Sequence, residues 1–381
     1  MKKHILSVVL ALATIFSAGV TTIAVNGDDI LETKETAVYQ PIITATPTNG
    51  ETVSLLDTES GIYQVTSNYK KSATKKYYEK GVDLYFPAAL TISWESTETA
   101  EYYTLKLGMK KDLSDAKSFA TFDTSITLKD LFVAKKYYYQ VIARCENKTV
   151  VSRIFEFKTA ALPRTITVPS VSNTRDLGGY FTTDGKYQVK QGMIYRGAAI
   201  DNITEEGKAV MLKTYGIKTD LDIRGTTDHT QSPLGSNINY VKCLGPDYCT
   251  GGSGINSANE EYRNGLLKEI KTFAVKENYP IYIHCAIGRD RTGTLCFLLN
   301  ALLGVGENDL FMDHEISFFS EAGSAGNFSQ TVGSFGQLYK YILDYSDGSL
   351  QENTEKFMLD LGVTQAEIDG IREIMLEEVQ A

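Results

Sequence analysis

The chain has 381 residues, a formal net charge of -9, and 43% hydrophobic and 22% charged residues. That composition excludes a wholly disordered or fibrous protein, and the length predicts two globular units. The acidic balance leaves no basic field for nucleic acid or an anionic membrane, so an anionic ligand has to be captured locally.

Met1-Lys2-Lys3-His4, the apolar run from Ile5 to Val20 and the acidic pair Asp28-Asp29 form a signal-peptide pattern over residues 1–24, with cleavage expected near Ala18 or Ala24. The run is short for a membrane span, no cysteine precedes Cys145 for lipid attachment, and the C-terminal segment Leu376–Ala381 is not an apolar tail. The expectation is an exported protein, secreted or at the cell surface, with no stable membrane anchor. Residues 25–55, rich in Thr and containing Pro41, Pro47 and Gly50, read as an extended leader. The cluster Lys70, Lys71, Lys75 and Lys76 reads as a solvated face.

From 56 to 162 the pattern is short and alternating: Leu90–Trp94, Tyr103–Leu107, Tyr137–Ala143 and Ile154–Phe157. Such runs separated by turn residues predict an all-β antiparallel sandwich. Ile92-Ser93-Trp94 and the Tyr137–Ala143 run resemble core strands of a fibronectin type III domain, which implies a spacer or adhesion module with a protein or surface ligand. Trp94 and the tyrosines are expected in the core.

After Pro163 helical segments alternate with short apolar strands, the signature of an α/β domain with a mostly parallel sheet flanked by helices. Thr204 caps a helix to Thr214 with Glu205 and Glu206 in its first turn, and a strand follows over Lys218–Ile223. Glu260–Lys276 is a helix, Ile281–His284 a strand, and a helix is expected from about Thr292 to Leu303. Of the five cysteines, Cys243 and Cys249 are able to pair, and Cys296 falls in an apolar helical pattern.

Cys285 stands apart, in His284-Cys285-Ala286-Ile287-Gly288-Arg289-Asp290-Arg291-Thr292-Gly293, between a strand and a helix. A loop wrapped ahead of a helix N-terminus turns successive N–H groups inward, and the helix dipole adds positive potential; together they suit a tetrahedral dianion. Gly288 permits close backbone approach, and Arg291 offers a planar fork of donors for two phosphoryl oxygens. The same field favours the thiolate of Cys285, a nucleophile able to attack phosphorus and pass through a phosphocysteine. Thr292 is placed to hydrogen-bond the sulfur during hydrolysis, and Ala286, Ile287, Gly288, Arg289, Thr292 and Gly293 form the substrate-binding loop.

The loop resembles the signature of the protein tyrosine phosphatase superfamily. Asn173-Thr174-Arg175-Asp176-Leu177-Gly178-Gly179, Ile194-Tyr195-Arg196-Gly197, Asp222-Ile223-Arg224 and the later Leu361-Gly362-Val363-Thr364 resemble bacterial secreted phosphatases of the lipid-and-tyrosine-phosphatase type, over about 166–381. The resemblance implies hydrolysis of phosphotyrosine monoesters, with dual-specificity or phosphoinositide activity also open, and a phosphorylated protein or phosphoinositide as partner.

A leaving group needs a proton, and two carboxylic acids are candidates. Asp247, in Gly245-Pro246-Asp247, lies where many superfamily members carry their acid, although the usual preceding tryptophan is missing. Asp290 lies inside the loop, where the narrower family is thought to place its acid; the alternative role is helix capping. Asp222, Arg224, Arg175 and Asp176 are supporting residues or structural ion pairs, and His284 supports the loop backbone. With four histidines and no ligand-spaced pair, no metal or other cofactor is expected. Arg289 replaces a lysine common in relatives thought to accept phosphoinositides. An inositol polyphosphate phosphatase and a catalytically silent phosphate-binding adhesion protein are the competing readings.

Overall fold

A computed structural model describes residues 23–24, 43–56, 87–97, 99–225, 229–323 and 328–379. The proposed signal peptide lies outside the described residues apart from Ile23–Ala24, and the Lys70–Lys76 cluster lies outside them entirely. The chain divides into two compact units, the first built from residues 1–55 and 89–160 and the second from 56–88 and 161–381.

The first unit is made of two sheets. Strands β1 (Ile23–Ala24), β3 (Thr52–Val53), β5 (Tyr102–Gly108), β6 (Lys117–Thr121), β8 (Lys136–Arg144) and β10 (Phe155–Thr159) run in the order β1-β6-β5-β8-β10-β3, with β9 (Thr149–Val151) also on β8. Strands β2 (Ile43–Thr46), β4 (Leu90–Glu95) and β7 (Ser125–Leu128) form the other, in the order β2-β4-β7. The alternation in sequence becomes alternation of burial: Leu90, Ile92 and Trp94 on β4, and Tyr137, Tyr139, Val141 and Ala143 on β8, are buried in one cluster. Burying each of the larger apolar side chains contributes roughly 1.5–3 kcal/mol. Trp94 meets Tyr103 edge-on at 5.4 Å, and Tyr139 stacks on Phe155 at 5.3 Å. These aromatics are packing residues.

One boundary differs from expectation. The stretch read as an extended leader contributes β2, antiparallel to β4, and β3, parallel to β10. Both strands are short and are held by backbone ladder bonds, which leave little periodic signal in side chains.

The second unit is built on a five-stranded sheet of β11 (Arg175–Asp176), β13 (Ile194–Gly197), β16 (Ile281–His284), β14 (Thr219–Asp222) and β15 (Asn239–Lys242), in that order. Only β11 is antiparallel to its neighbour; the other pairings are parallel. Every residue of β13, β14 and β16 is buried, as expected when helices cover both faces of a parallel sheet. A separate ribbon joins β12 (Tyr187–Val189) to β17 (Leu376–Glu378).

The helices are α1 (Glu205–Ala209), continuing as a π turn over Val210–Thr214, α2 (Glu260–Phe273), α3 (Asp290–Leu302), α4 (Glu307–Glu315), α5 (Phe328–Leu343), α6 (Leu350–Leu361) and α7 (Gln365–Met375). Thr204 caps α1 as predicted, its hydroxyl accepting from the Gly207 amide. Capping boxes at Ser349/Glu352 and Thr364/Glu367 start α6 and α7, and Gly362 at φ 111° ends α6. Helix α3 is buried almost all round, from Thr292 to Leu302, so it is a core helix with its N-terminus at the sheet edge.

Register places the chemistry. Gly197 and Asp222 both pair with His284, so β13, β14 and β16 end together. That is the carboxyl edge of a parallel sheet, where α/β folds bind ligands.

Candidate active site

Residues Cys285–Arg289 connect β16 to α3 in one turn of loop. Cys285 is 2% exposed, Ala286 is exposed at the rim, Ile287 is half-buried, and Gly288 and Arg289 are buried. The loop's carbonyls are held from outside, one after another. His284 Nδ1 lies 3.3 Å from the Cys285 carbonyl oxygen, the Ala199 amide donates to Ala286 O at 3.1 Å, and Asn173 Nδ2 donates to Ile287 O at 2.9 Å. Arg196 Nη2 donates to Gly288 O at 2.8 Å, and the Gly293 amide donates to Arg289 O at 2.8 Å. In a trans peptide the next N–H points opposite to each carbonyl, so the amides following these carbonyls turn toward the loop's interior. An anion-binding nest results, at the N-terminus of α3.

Gly288 is required twice over. Its φ is +71°, and a Cβ there would sit 2.2 Å from the Gly197 carbonyl oxygen. Thr292 is fully buried and its hydroxyl has no partner among the described residues, which leaves it available to sulfur or phosphoryl oxygen. Gly293, also buried, lies in the first turn of α3. Arg291 is half-buried and donates from Nη1 to the Arg224 carbonyl at 3.1 Å, which anchors its guanidinium near the ends of β14 and β16.

The backing of the loop is a buried charge network. Asp313, on α4, accepts from Arg175 Nε at 2.8 Å and from Arg196 Nη1, and both arginines are 0% exposed. Arg175 also reaches Asn173 Oδ1 at 2.7 Å, the Asp313 carbonyl at 2.6 Å and Ser317 Oγ at 3.0 Å. Burial alone would raise the Asp313 pKa, but the two guanidinium groups hold it below the usual carboxylate range. Arg175 thus supports the loop at one remove, through Asn173 and through Asp313 to Arg196. Asp176 does not join it. Its carboxylate accepts from Arg164 at 2.6 Å and from the amides of Gly178 and Gly192, so it organises a neighbouring turn.

His284 is fully buried, with Nε2 3.0 Å from Asp220 Oδ1, which makes it a support of the loop backbone. Burial opposes its charge, but the Asp220 carboxylate wins and raises its pKa. Asp222 and Arg224 form an ion pair at 2.7 Å, and Arg224 also meets the exposed Asp201 with Nη2 at 2.9 Å. His229 reaches Asp201 at 2.6 Å. Tyr240 donates to Asp222 at 2.9 Å.

The Arg289 side chain is committed to neighbouring groups. The guanidinium is bonded to Asp290 at 2.8 Å, donates to the Gly323 carbonyl at 2.6 Å and lies over the Phe318 ring. Its backbone still belongs to the loop. Asp290 is not the N-cap of α3: Arg289 occupies that position without a side-chain cap, and Asp290 is the first helical residue, which starts the helix earlier than Thr292.

The two acid candidates lie close enough to interact and differ in surroundings. Asp290 accepts from Arg289 and from the Tyr248 hydroxyl at 2.8 Å. Asp247 has its Oδ1 buried with no hydrogen-bond partner among the described residues. Burial first, and then the Asp290 charge, push its pKa up to about 6, against the opposing pull of Arg291 and Arg289. Beneath it Glu269, fully buried on α2, is pushed up to about 8 by burial.

All five cysteines are free. Cys243 donates to Glu269 at 3.7 Å, and burial pushes Cys249 up to about 11 and Cys296 up to about 12, so these thiols stay protonated at neutral pH. The pairing of Cys243 with Cys249 that their spacing allowed is not formed.

Asn173, Arg196, Asp313, Tyr248 and His314 also contact the candidate site or its backing, and none of them stood out as a site residue in the sequence. Asn173 and Arg196 lie in motifs already quoted, but nothing local tells which loop carbonyl each one holds.

A buried cysteine under a ring of inward amides, with an arginine in the first turn of the following helix, makes a site suited to a tetrahedral anion. Residues 166–377 match the family model described as the tyrosine phosphatase family, and the chain belongs to that family. A Cupriavidus necator protein named for tyrosine-protein phosphatase activity is 23% identical over 168 residues, covering 38% of this chain. The chain spans 60% of that relative's length. Among solved structures, the core catalytic domain of the PP-IP phosphatase SIW14 from S. cerevisiae, in complex with citrate, is 20% identical over 43% of this chain and 86% of that one. Its TM-score of 0.28 is too low to carry a structural argument.

Proposed function

We propose that the chain is an exported phosphatase that hydrolyses phosphomonoesters of the phosphotyrosine type through a phosphocysteine on Cys285. The observation that carries this is the set of four consecutive loop carbonyls, Cys285 to Gly288, held by neighbouring groups around a buried cysteine, with the Arg289 carbonyl making the first bond of α3. In the first step the Cys285 sulfur attacks phosphorus, the P–O bond to the leaving group breaks, and Asp247 delivers its proton to that oxygen. In the second, water attacks the phosphocysteine, Asp247 takes up a proton, and Thr292 donates to the departing sulfur. Arg291 grips the equatorial oxygens throughout.

Asp247 is preferred to Asp290 as the acid on chemical grounds. A proton donor has to carry its proton at working pH. The unpartnered, desolvated Asp247 does so up to about pH 6, whereas Asp290 is occupied as the acceptor of Arg289 and Tyr248.

Phosphotyrosine-type esters are favoured over inositol polyphosphates because the cations around the loop are committed: Arg224 to Asp201 and Asp222, Arg289 to Asp290. A polyanionic ring needs several uncompensated cations beyond the loop. The export rests on the sequence pattern of residues 1–24, and the first unit is proposed as a fibronectin type III-like module that brings the enzyme to a protein or surface ligand.

The test is phosphate release from aryl phosphates of graded leaving-group basicity, beside a phosphotyrosine peptide, phosphoinositides and inositol hexakisphosphate. The expected result is turnover of the aryl and peptide esters. Asp247→Asn should lose about 10²–10⁴-fold on phenyl phosphate and little on 2,4-dinitrophenyl phosphate. Preferential release from inositol hexakisphosphate would contradict the substrate assignment, and the same leaving-group dependence in Asp290→Asn rather than Asp247→Asn would move the acid.

A further inference from the structure

Arg224 lies just past the carboxyl end of β14, and its backbone is tied to the site. Its carbonyl accepts from Arg291 Nη1 at 3.1 Å, so the arginine assigned to grip the phosphoryl group is anchored on it. Its backbone also bridges to Leu244, and Gly225 follows at φ +73°, where a Cβ would meet the Leu244 side chain at 2.7 Å. The turn is thereby fixed, and the Arg224 guanidinium lies within one side-chain length of the Arg291 anchor.

That guanidinium is held by two carboxylates at once. Asp222 accepts from Nε at 2.9 Å and from Nη2 at 2.7 Å; Asp201 accepts from Nη1 and, at 2.9 Å, from Nη2. The two are not equivalent. The Asp222 side chain is 1% exposed and by itself balances the charge of Arg224, as a buried partner has to. The Asp201 side chain is 30% exposed and surplus to that balance, and an ion pair open to water adds little to stability. Asp201 is brought to the mouth of the site by the rim itself: it follows Ala199, whose amide donates to the Ala286 carbonyl at 3.1 Å. His229 Nε2 also reaches it, at 2.6 Å. With His229 neutral, one guanidinium between two carboxylates leaves the cluster net negative, beside a loop that suits an anion.

We infer that Asp201 is a specificity-determining residue: by occupying two N–H groups of the Arg224 guanidinium, it denies that cation to a second phosphate and keeps the site to isolated phosphomonoesters. The inference rests on the reading of the chain as a phosphatase of phosphotyrosine-type esters and names the residue that sets that preference. A substrate with neighbouring phosphates needs a further cation beside Arg291 for each additional group. Arg224 is a cation so placed, whereas Arg289 is turned to Asp290 and the Gly323 carbonyl. Removing the Asp201 carboxylate cancels a repulsive charge and releases Nη1 from it, while Asp222 keeps the guanidinium in place.

The experiment uses the full-length chain at neutral pH and compares wild type with Asp201→Asn, Asp201→Ala, Asp201→Glu, the double variant Asp201→Asn/Arg224→Gln, and Glu277→Gln. Glu277 is an exposed carboxylate in the turn before β16, at the opposite edge of the sheet, and controls for net charge alone. The readouts are kcat/KM for phenyl phosphate and the inhibition constant of inositol hexakisphosphate against it. Asp201→Asn and Asp201→Ala are expected to keep kcat/KM within about threefold and to bind inositol hexakisphosphate about tenfold more tightly, the worth of one charge-assisted contact. Asp201→Glu and Glu277→Gln should stay at the wild-type constant, and the double variant should lose the gain. If the double variant does not fold, Asp201→Glu decides. An unchanged inhibition constant, a gain matched by Glu277→Gln, a gain retained in Asp201→Glu or surviving the loss of Arg224, or an equal fall in phenyl phosphate turnover overturns the inference and leaves the phosphatase reading standing. Preferential release of phosphate from inositol hexakisphosphate over a phosphotyrosine peptide by wild type overturns that reading and the inference with it.

Discussion

Behind the phosphate loop Asp313 meets both Arg175 and Arg196, and those arginines pass its charge on to Asn173 and the Gly288 carbonyl. Beside the loop, Asp247 and Glu269 each keep a buried carboxyl oxygen without a partner among the described residues. The first arrangement is rigid, because no member can move without leaving a buried charge unpaired. The second is reactive, because an unsatisfied buried carboxyl holds a proton that an exposed one would shed. Rigidity on one side fixes the loop amides, and on the other side an unsatisfied carboxyl keeps the proton that the proposed mechanism delivers to the leaving group.

The largest expected effect lies behind the loop. Asp313→Ala leaves two arginines buried without their carboxylate and is expected to cost about 3–5 kcal/mol of stability, read from the urea midpoint. A loss below about 1 kcal/mol would show that the network is not what holds the loop.

A smaller effect of opposite sign is expected beside it. Burial raises Glu269 from its ordinary 4.5 to about 8, so the folded chain binds more protons than the unfolded chain across that window. Its contribution to stability is therefore present at low pH and falls as pH rises through the window. Glu269→Gln removes the cost of ionising it, and at pH 8 should be more stable than wild type by about 1–3 kcal/mol, with the two converging near pH 5. Parallel stability curves would mean that Glu269 is ionised with a partner, and the contrast between the two sides would fail.

The same contrast explains what the sequence disclosed. Strand Ile281–His284 appears with the expected bounds, and the loop was legible because its chemistry is contiguous: cysteine, glycine, arginine and threonine within nine residues of chain. The backing was not. Asp313 and His314 come from a helix that starts after α3 ends, and only three-dimensional packing brings them to Arg175, Arg196 and Tyr248. Tyr248 reads as one more core aromatic. The direction of the Arg289 side chain, toward Asp290 and Gly323, is a rotamer choice that no spacing encodes. Sequence also left Asp247 and Asp290 level as acid candidates, since desolvation and hydrogen-bond occupancy, which separate them, are properties of the packed site. In the first unit β2 and β3 went unread because two to four residues are too few to show a period.

If the proposed mechanism holds, Cys285 becomes covalently phosphorylated during turnover, and acid quenching of the enzyme with a rapidly reacting aryl phosphate, followed by peptide mass spectrometry, reads that intermediate. One phosphoryl group is expected on the peptide containing Cys285 and none on Cys243, Cys249 or Cys296, with no label and no turnover in Cys285→Ser. Sustained phosphate release by Cys285→Ser, or label on a different residue, would contradict it.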